Sequence, residues 1–363
     1  MAKKIKNPFR NFSFIRLSVK EQTFFAKRLS FLIKADVPIL ESLSMIREQT
    51  RSKGYQNILD HIIKDVSNGK YLSESLRKFK HIFGDFAINI IGVGESAGIL
   101  SENLEYLSEE LKKRHILRKK IVGAFIYPIV VTLATLAIVF FLMLYLFPKI
   151  LPVFLSLHAE LPLSTKILIF TSTALQNYWV FIIGAILFLV LAFFAALRES
   201  KKFHFYFDYF LLKIPIIKDI VRSYNLSNFT RTLGLLLKAG LTLSESIDIV
   251  STTIENLVYK KEFVAIGNSV TRGQKLSVHL KKNRQLFPDI LTQIVTVAER
   301  SGDLSNSFIY ISELYESDVE DFTKNISTLI EPLLMILMGL MVGFIAISII
   351  TPIYSITEQL NPK

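Results

Sequence analysis

The chain has 363 residues, of which 51% are hydrophobic and only 20% charged, with a formal charge of +12 and no cysteine. That balance is too apolar for an ordinary soluble protein of this length and points to membrane segments. The missing cysteine excludes a disulfide framework, thiolate catalysis and thiolate zinc sites. The positive charge does not indicate nucleic acid, because nearly all Lys and Arg fall in residues 1–120 and 198–327 and leave the apolar runs bare.

Residues 1–20 form a basic arm with Lys3, Lys4, Lys6, Arg10, Arg16 and Lys20 and no acid. Such an arm is solvated, lies on a membrane surface, or docks on a cytoplasmic partner. It lacks the apolar core of a secretory leader, so the first span is expected to direct insertion. Residues 21–120 predict a helical bundle. Phe24, Phe25, Leu29, Leu32 and Ile33 recur at three- and four-residue spacings, the mark of an amphipathic helix. That helix is expected to stop at Ala35-Asp36, with Pro38 in the first turn of the next. Further helices are expected near 55–68, 72–80 and 84–97, broken at Gly69-Lys70 and Gly84, and a long one from Ser101 into the first span.

Three uncharged runs, Ile121–Pro148, Tyr178–Leu197 and Pro332–Thr357, can each cross a hydrocarbon core of about 30 Å, which takes roughly 20 helical residues. The expected spans are 121–147, 178–197 and 328–352. Between the first two lies an external loop, 148–177, with a short helix at 164–175. Residues 198–327 hold a linker, broken at Lys213-Ile214-Pro215-Ile216, and a second bundle; 353–363 form an external tail. The cations flanking the spans put both bundles and the N-terminus on the cytoplasmic side of the membrane and the C-terminus outside.

The two bundles are copies. Gly94-Glu95-Ser96-Ala97-Gly98 recurs 204 positions later as Ala298-Glu299-Arg300-Ser301-Gly302. The same offset maps Lys34-Ala35-Asp36 onto Lys238-Ala239-Gly240, Pro128 onto Pro332 and Pro148 onto Pro352. Gly240 at the position of Asp36 fits a left-handed residue past a helix end, and Thr242 with Glu245 has capping-box spacing. The expected fold is therefore an all-α membrane protein: two tandem antiparallel helical bundles, cytoplasmic, with three transmembrane helices. The span at 178–197 has no partner under the offset. It is the extra crossing that returns the chain for the second copy.

The search for chemistry is negative. The sequence has no phosphate-binding loop, no His-Glu-x-x-His and no Gly-x-Ser-x-Gly elbow, and its six His are scattered. No catalytic residue, cofactor or metal is expected. The candidates are for interaction or coupling. Glu95 and Glu299 each close an apolar helical stretch just before Gly98 and Gly302. Each either pairs with a Lys or Arg or caps the next helix in its own bundle, or it joins a contact or metal site shared between repeats or subunits. Glu331 precedes Pro332 at the edge of the third span, where the first has Tyr127-Pro128; it is functional or simply reaches water. Before the first span stand Lys112, Lys113, Arg114, Arg118, Lys119 and Lys120, whereas the matching stretch has Glu316, Asp318, Glu320 and Asp321. Lys112 maps to Glu316 and Arg114 to Asp318. These two stalks are expected to pair electrostatically, within a chain or between subunits. The row Glu102, Glu105 and Glu109 is a solvated face or a partner contact.

From Phe24 onward the chain resembles the F-protein family of type II secretion, which includes the inner-membrane platform proteins of type IV pili and competence pseudopili. The resemblance rests on Lys34 to Leu43 and its copy Lys238 to Ile247, on the two Gly-Glu corners, on Lys120, Tyr127-Pro128 and Pro148, on Glu331-Pro332 and Pro352, and on Leu161-Pro162 with Thr165. Lys218 departs from it, where the family often has Gly. The resemblance implies no catalytic activity. It implies a polytopic platform that couples a cytoplasmic hexameric motor ATPase to insertion or extraction of pilins or pseudopilins, beside other inner-membrane assembly proteins and as a homo-oligomer in the lipid bilayer. A small secondary transporter or an unrelated membrane scaffold is the competing reading; transporters place polar residues and broken helices within their spans.

Overall fold

The computed structural model describes residues 17–156, 162–215 and 217–360. The basic arm therefore falls, for residues 1–16, outside the described residues. So do Leu161 of the expected external loop and the last three residues of the expected tail. The described residues fall into two compact units, one built from the segments up to Lys120 and Phe207–Glu320, the other from Ile121–Tyr206 and the segment from Asp321 on.

The first unit holds both bundles. Bundle 1 comprises α1 (Val19–Lys34), α2 (Ile39–Glu48), α3 (Lys53–Ser67), α4 (Leu72–Arg77), α5 (Lys80–Ala97) and the start of α6 (Leu100–Phe141). α1 opens on a capping box: Ser18 Oγ accepts from the Glu21 N–H at 3.2 Å, and the Glu21 carboxylate accepts from the Ser18 N–H at 2.7 Å. Phe25, Ala26, Leu29 and Ser30 form its buried stripe. Past its end Asp36 takes a positive φ of 58°, as Gly240 does in the copy. Pro38 is the residue just before α2 rather than its first.

α5 bends at Gly84, whose φ of 77° and ψ of 158° suit glycine alone. The copy breaks the chain differently, with Pro288 at the equivalent position directly before α14. One chain reversal is thus made by two residues with opposite conformational properties.

The second unit contains the spans. After α6 the backbone makes one π-helical stretch, Leu142–Leu146, and continues as α7 (Phe147–Ser156). α8 runs over Leu163–Glu199, and α9 follows over Lys201–Leu211. The helix expected at 164–175 is the first part of α8 rather than a separate element. Among the described residues, three helices are long and apolar enough to cross a membrane, within Leu100–Pro152, Leu163–Glu199 and Leu304–Pro352. They meet at Met143, Phe147, Leu168 and Ile345. There the Ser172 hydroxyl donates to the Met143 carbonyl at 2.7 Å and Thr165 donates to the Ser348 carbonyl at 2.8 Å. A π-helical turn shifts the backbone bonding from i+4 to i+5, so the serine serves a carbonyl inside that irregular stretch. In lipid such groups need protein partners.

Bundle 2 comprises α10 (Ile217–Lys238), α11 (Leu243–Thr253), α12 (Leu257–Thr271), α13 (Leu276–Leu280), α14 (Asp289–Ser301) and the start of α15 (Leu304–Leu360). Thr242 and Glu245 form the expected capping box at α11. Its core is a knot of rings: Phe229 lies 4.6 Å from Phe263 and 6.0 Å from Phe287, centroid to centroid. Bundle 1 keeps the outer pair, Phe25 and Phe83, at 5.5 Å, and puts Leu59 where Phe263 stands. Each such ring or leucine, fully buried, contributes about 1.5–3 kcal/mol. α5 of bundle 1 packs on α11 of bundle 2.

Candidate functional site

Each bundle turns into its long helix at the same corner. Glu95, near the end of α5, accepts from the backbone N–H groups of Leu72 and Ser73 at 2.5 and 2.9 Å and from the Ser73 hydroxyl at 2.6 Å. Those N–H groups open α4 and have no partner within it, so the carboxylate caps a helix start with favourable charge. Glu299 repeats the arrangement on α13. It accepts from the Leu276 N–H at 2.6 Å, the Ser277 N–H at 3.3 Å and the Ser277 hydroxyl. Both carboxylates thus act inside their own bundle, on the preceding short helix. Among the described residues no group of three or more His, Asp or Glu could hold a metal ion. Gly98 and Gly302 end α5 and α14 in the left-handed conformation, φ 72° and 78°. That reversal lets α6 and α15 start two residues later.

The two stalks, the bundle-side parts of α6 and α15, are joined by buried charge. Glu110 on α6 is 1% exposed at its side chain. Arg114, one turn on, holds it with Nε at 2.5 Å and donates from its other end to the Thr232 hydroxyl at 2.6 Å. Arg114 also stacks over the Phe86 ring at 4.8 Å. Arg231 on α10, 6% exposed, stands between two acids: Glu110 at 3.6 Å and Glu316 of α15 at 2.8 Å. Burial pushes the Glu316 carboxyl above the usual range, against the opposing pull of Arg231. Nearer the spans, Lys120 bridges directly to Glu320.

Within the chain the two charged stretches meet at Lys120 and Glu320, and Glu316 joins them through Arg231. Arg114 turns to Glu110 and Thr232 rather than to the acidic stalk. Lys112 is exposed. Glu316 is engaged by Arg231 of another helix, and Asp318 is half-buried beside Tyr315. Arg231, Glu110 and Thr232 were missed because the signal was sought only in the charged juxtamembrane stretches. A cleft of about 790 Å³ adjoins this joint, lined by Phe86, Arg114, His115, Arg118, Asn228 and Thr232 among others. Tyr127 and Pro128 lie within α6, Tyr127 exposed and Pro128 buried; Glu331 and Pro332 lie within α15, both exposed.

A duplicated helical bundle, its two halves locked by buried ion pairs and each continued by a stalk helix into an apolar span, defines an all-α membrane protein with three spans. Sequence comparison places it further. The family described as type II secretion system (T2SS), protein F matches residues 25–148 and again 229–352, the two copies found by the offset, and the chain belongs to that family. It is 30% identical over 332 residues to the type IV pilus assembly protein PilC of Pseudomonas aeruginosa, covering 92% of this chain and 88% of that one. It is 32% identical over 347 residues to the type II secretion system protein F of the same organism, covering 94% and 84%. The type IV pilus assembly protein TapC of Aeromonas hydrophila is 28% identical over 333 residues, covering 92% and 80%.

Proposed function

We propose that the chain is an inner-membrane platform of a type IV pilus or type II secretion apparatus, without enzymatic activity of its own. It couples a cytoplasmic hexameric motor ATPase to insertion or extraction of pilin-like subunits, beside a second copy of itself and other inner-membrane assembly proteins. Relatives named for pilus assembly and for type II secretion support the class of machine. The observation that carries the coupling is the pair of stalks. α6 and α15 each start at a Glu-capped corner, are tied to one another by Arg231–Glu316 and Lys120–Glu320, and run on unbroken into an apolar span. A force on either bundle therefore has a stiff helical route toward the membrane. Along that route Gly98 and Gly302 set the corner, and Tyr127-Pro128 and Glu331-Pro332 lie where the helices turn apolar. In this reading both bundles and the N-terminus face the cytoplasm and the C-terminus the outside.

Deletion and complementation in the source organism test the proposal, with crosslinking to the motor ATPase and to pilins. The expected result is lost piliation, secretion or DNA uptake on deletion, with crosslinks from the bundles to the ATPase. Normal piliation, secretion and DNA uptake in the deletion strain overturn it. Reporter fusions at the two termini test the orientation.

A further inference from the structure

The stretch between the second span and bundle 2, read from sequence as a linker, holds α9, an amphipathic aromatic helix. It begins directly after Ser200, the single extended residue (φ −101°, ψ 101°) that follows α8. One side is fastened: Asp208, 7% exposed, accepts from the N–H of Leu257 at the start of α12, at 2.7 Å. The other side is open. Phe203, Tyr206, Tyr209 and Phe210 are 39%, 69%, 45% and 59% exposed. Positions 203, 206 and 210 share one helical stripe. Cations surround it, with Arg198, Lys201 and Lys202 before and Lys213 after, the last with its ammonium 4.7 Å from the centre of the Tyr209 ring. At the C-terminal end of α9 a cavity of about 380 Å³ is lined by Tyr209, Lys213, Lys218, Arg222, Asn283 and Gln285 with neighbouring apolar residues. Arg222 donates to Asp219 at 2.9 Å, while its Nε is shielded from solvent and has no hydrogen-bond partner.

We propose that α9 lies on the bilayer surface, its aromatic stripe at headgroup depth, and that the cavity at its end takes the headgroup of an anionic phospholipid. Aromatic rings settle at the boundary between hydrocarbon and headgroups. Clustered Lys and Arg draw the helix to an anionic leaflet. The bilayer is favoured over a protein partner because α9 starts one residue beyond an apolar span. In addition, the Phe203 ring packs edge-on against Phe193 of that span, 5.8 Å between centroids. Lys213, Lys218 and Arg222 line the cavity with no carboxylate among its lining residues, and the amides of Asn283 and Gln285 add neutral donors for phosphate oxygens.

The chain has no cysteine, so single engineered cysteines report cleanly in the full-length protein. Tyr206→Cys, labelled with a polarity-sensitive fluorophore in nanodiscs of phosphatidylethanolamine and phosphatidylglycerol, is compared with Tyr71→Cys, exposed in bundle 1, and Phe188→Cys, exposed in α8. The expected result is a blue-shifted Tyr206 probe, quenched by lipid spin-labelled near the headgroup and protected from aqueous iodide, unlike the Tyr71 probe. Replacing phosphatidylglycerol by phosphatidylcholine should weaken that protection. Lys218→Gln with Arg222→Gln should remove the dependence on lipid charge while leaving the helix content unchanged. Iodide quenching equal to that of Tyr71 overturns the proposal. So does a probe shielded from iodide yet untouched by spin-labelled lipid, which would mean that protein covers the stripe. Loss of the lipid dependence in inorganic phosphate at constant ionic strength would make the cavity a site for the free anion and overturn the headgroup assignment.

Discussion

Arg231→Met tests whether the buried ionic joint holds the two bundles together. The substitution keeps much of the side-chain volume and removes the charge that Glu110 and Glu316 share. At an effective dielectric near 20, a unit-charge contact at these separations is worth about 5 kcal/mol before desolvation. Breaking a buried pair by removing one partner costs roughly 3–5 kcal/mol. Glu110 keeps Arg114 at 2.5 Å, so the loss falls chiefly on Glu316, whose side chain is 23% exposed and can partly relax. The low end, about 3 kcal/mol, is therefore expected, equivalent to a melting point about 10 °C lower for a unit of this size. Thermal unfolding of the full chain in micelles, followed by circular dichroism, measures it. The pH dependence has a definite sign. Burial already raises the Glu316 carboxyl above its unfolded value, so the folded state gains from its protonation and loses that gain as pH rises. Without Arg231 the carboxyl rises further, and the variant's deficit should shrink between neutrality and about pH 5. Adding Glu316→Gln should recover part of the loss at neutral pH. A deficit below about 1 kcal/mol, or no recovery with either acid or Glu316→Gln, would refute an uncompensated buried carboxylate as the cause.

Gly234 lets α10 and α15 cross closely: a Cβ there would stand 2.8 Å from an Ile309 side-chain carbon and 3.0 Å from backbone atoms of Ile309 and Ser305. Gly234→Ala should cost about 1–3 kcal/mol, whereas Ser30→Ala at the equivalent position of bundle 1 should lose only the hydrogen bond to Ser101, about 1 kcal/mol; equal melting points for the two would contradict this. Glu95→Ala and Glu299→Ala should each cost about 1–2 kcal/mol through lost caps on α4 and α13, and the double variant should show the sum, because the sites lie in separate bundles. Marked non-additivity in chemical denaturation would point to a shared contact. Lys120→Glu and Glu320→Lys place like charges together at a half-exposed pair. Each should cost at most about 1 kcal/mol, and the double reversal should restore most of it; a double variant as unstable as the two singles summed would show that the pair makes no contribution.

The duplication made much of the fold legible. Gly98 and Gly302 read as corners because two copies put glycine at one place, and both adopt the left-handed conformation. Thr242 with Glu245 announced a helix start that the structure contains. Glu95 and Glu299 were legible as carboxylates that pair or cap within their own bundle, but the cap was expected on the next helix, whereas the structure puts it on the preceding one. Their donors lie 22 and 23 residues earlier, and only the packed bundle brings the start of α4 or α13 to them. α9 stayed hidden because its aromatic run has no buried apolar face of its own: Phe203, Tyr206 and Phe210 are exposed, and the helix is fixed instead by the buried carboxylate of Asp208.

The joint was the least legible part, and the reason is physical. Repetition reports what two copies share, whereas the contact between them consists of what they do not share. Arg231 corresponds to Lys27, which is exposed on α1; the same position becomes buried in the copy because the stalk of the first repeat packs there. Glu110 corresponds to Leu314, so the buried acid that Arg231 meets has no counterpart in the second stalk. Ser30 and Gly234 differ for a similar reason. Where Ser30 donates to the Ser101 carbonyl, the copy reverses the bond, and Ser305 donates to the carbonyl of Gly234 while α15 closes in. A charge at one repeat position facing a neutral or opposite residue in the other prevents either bundle from replacing its twin. The positions at which the repeats disagree in charge are therefore where substitutions should separate assembly of the unit from folding of each bundle, and Arg231 with Glu110 is the pair at which that separation should be largest.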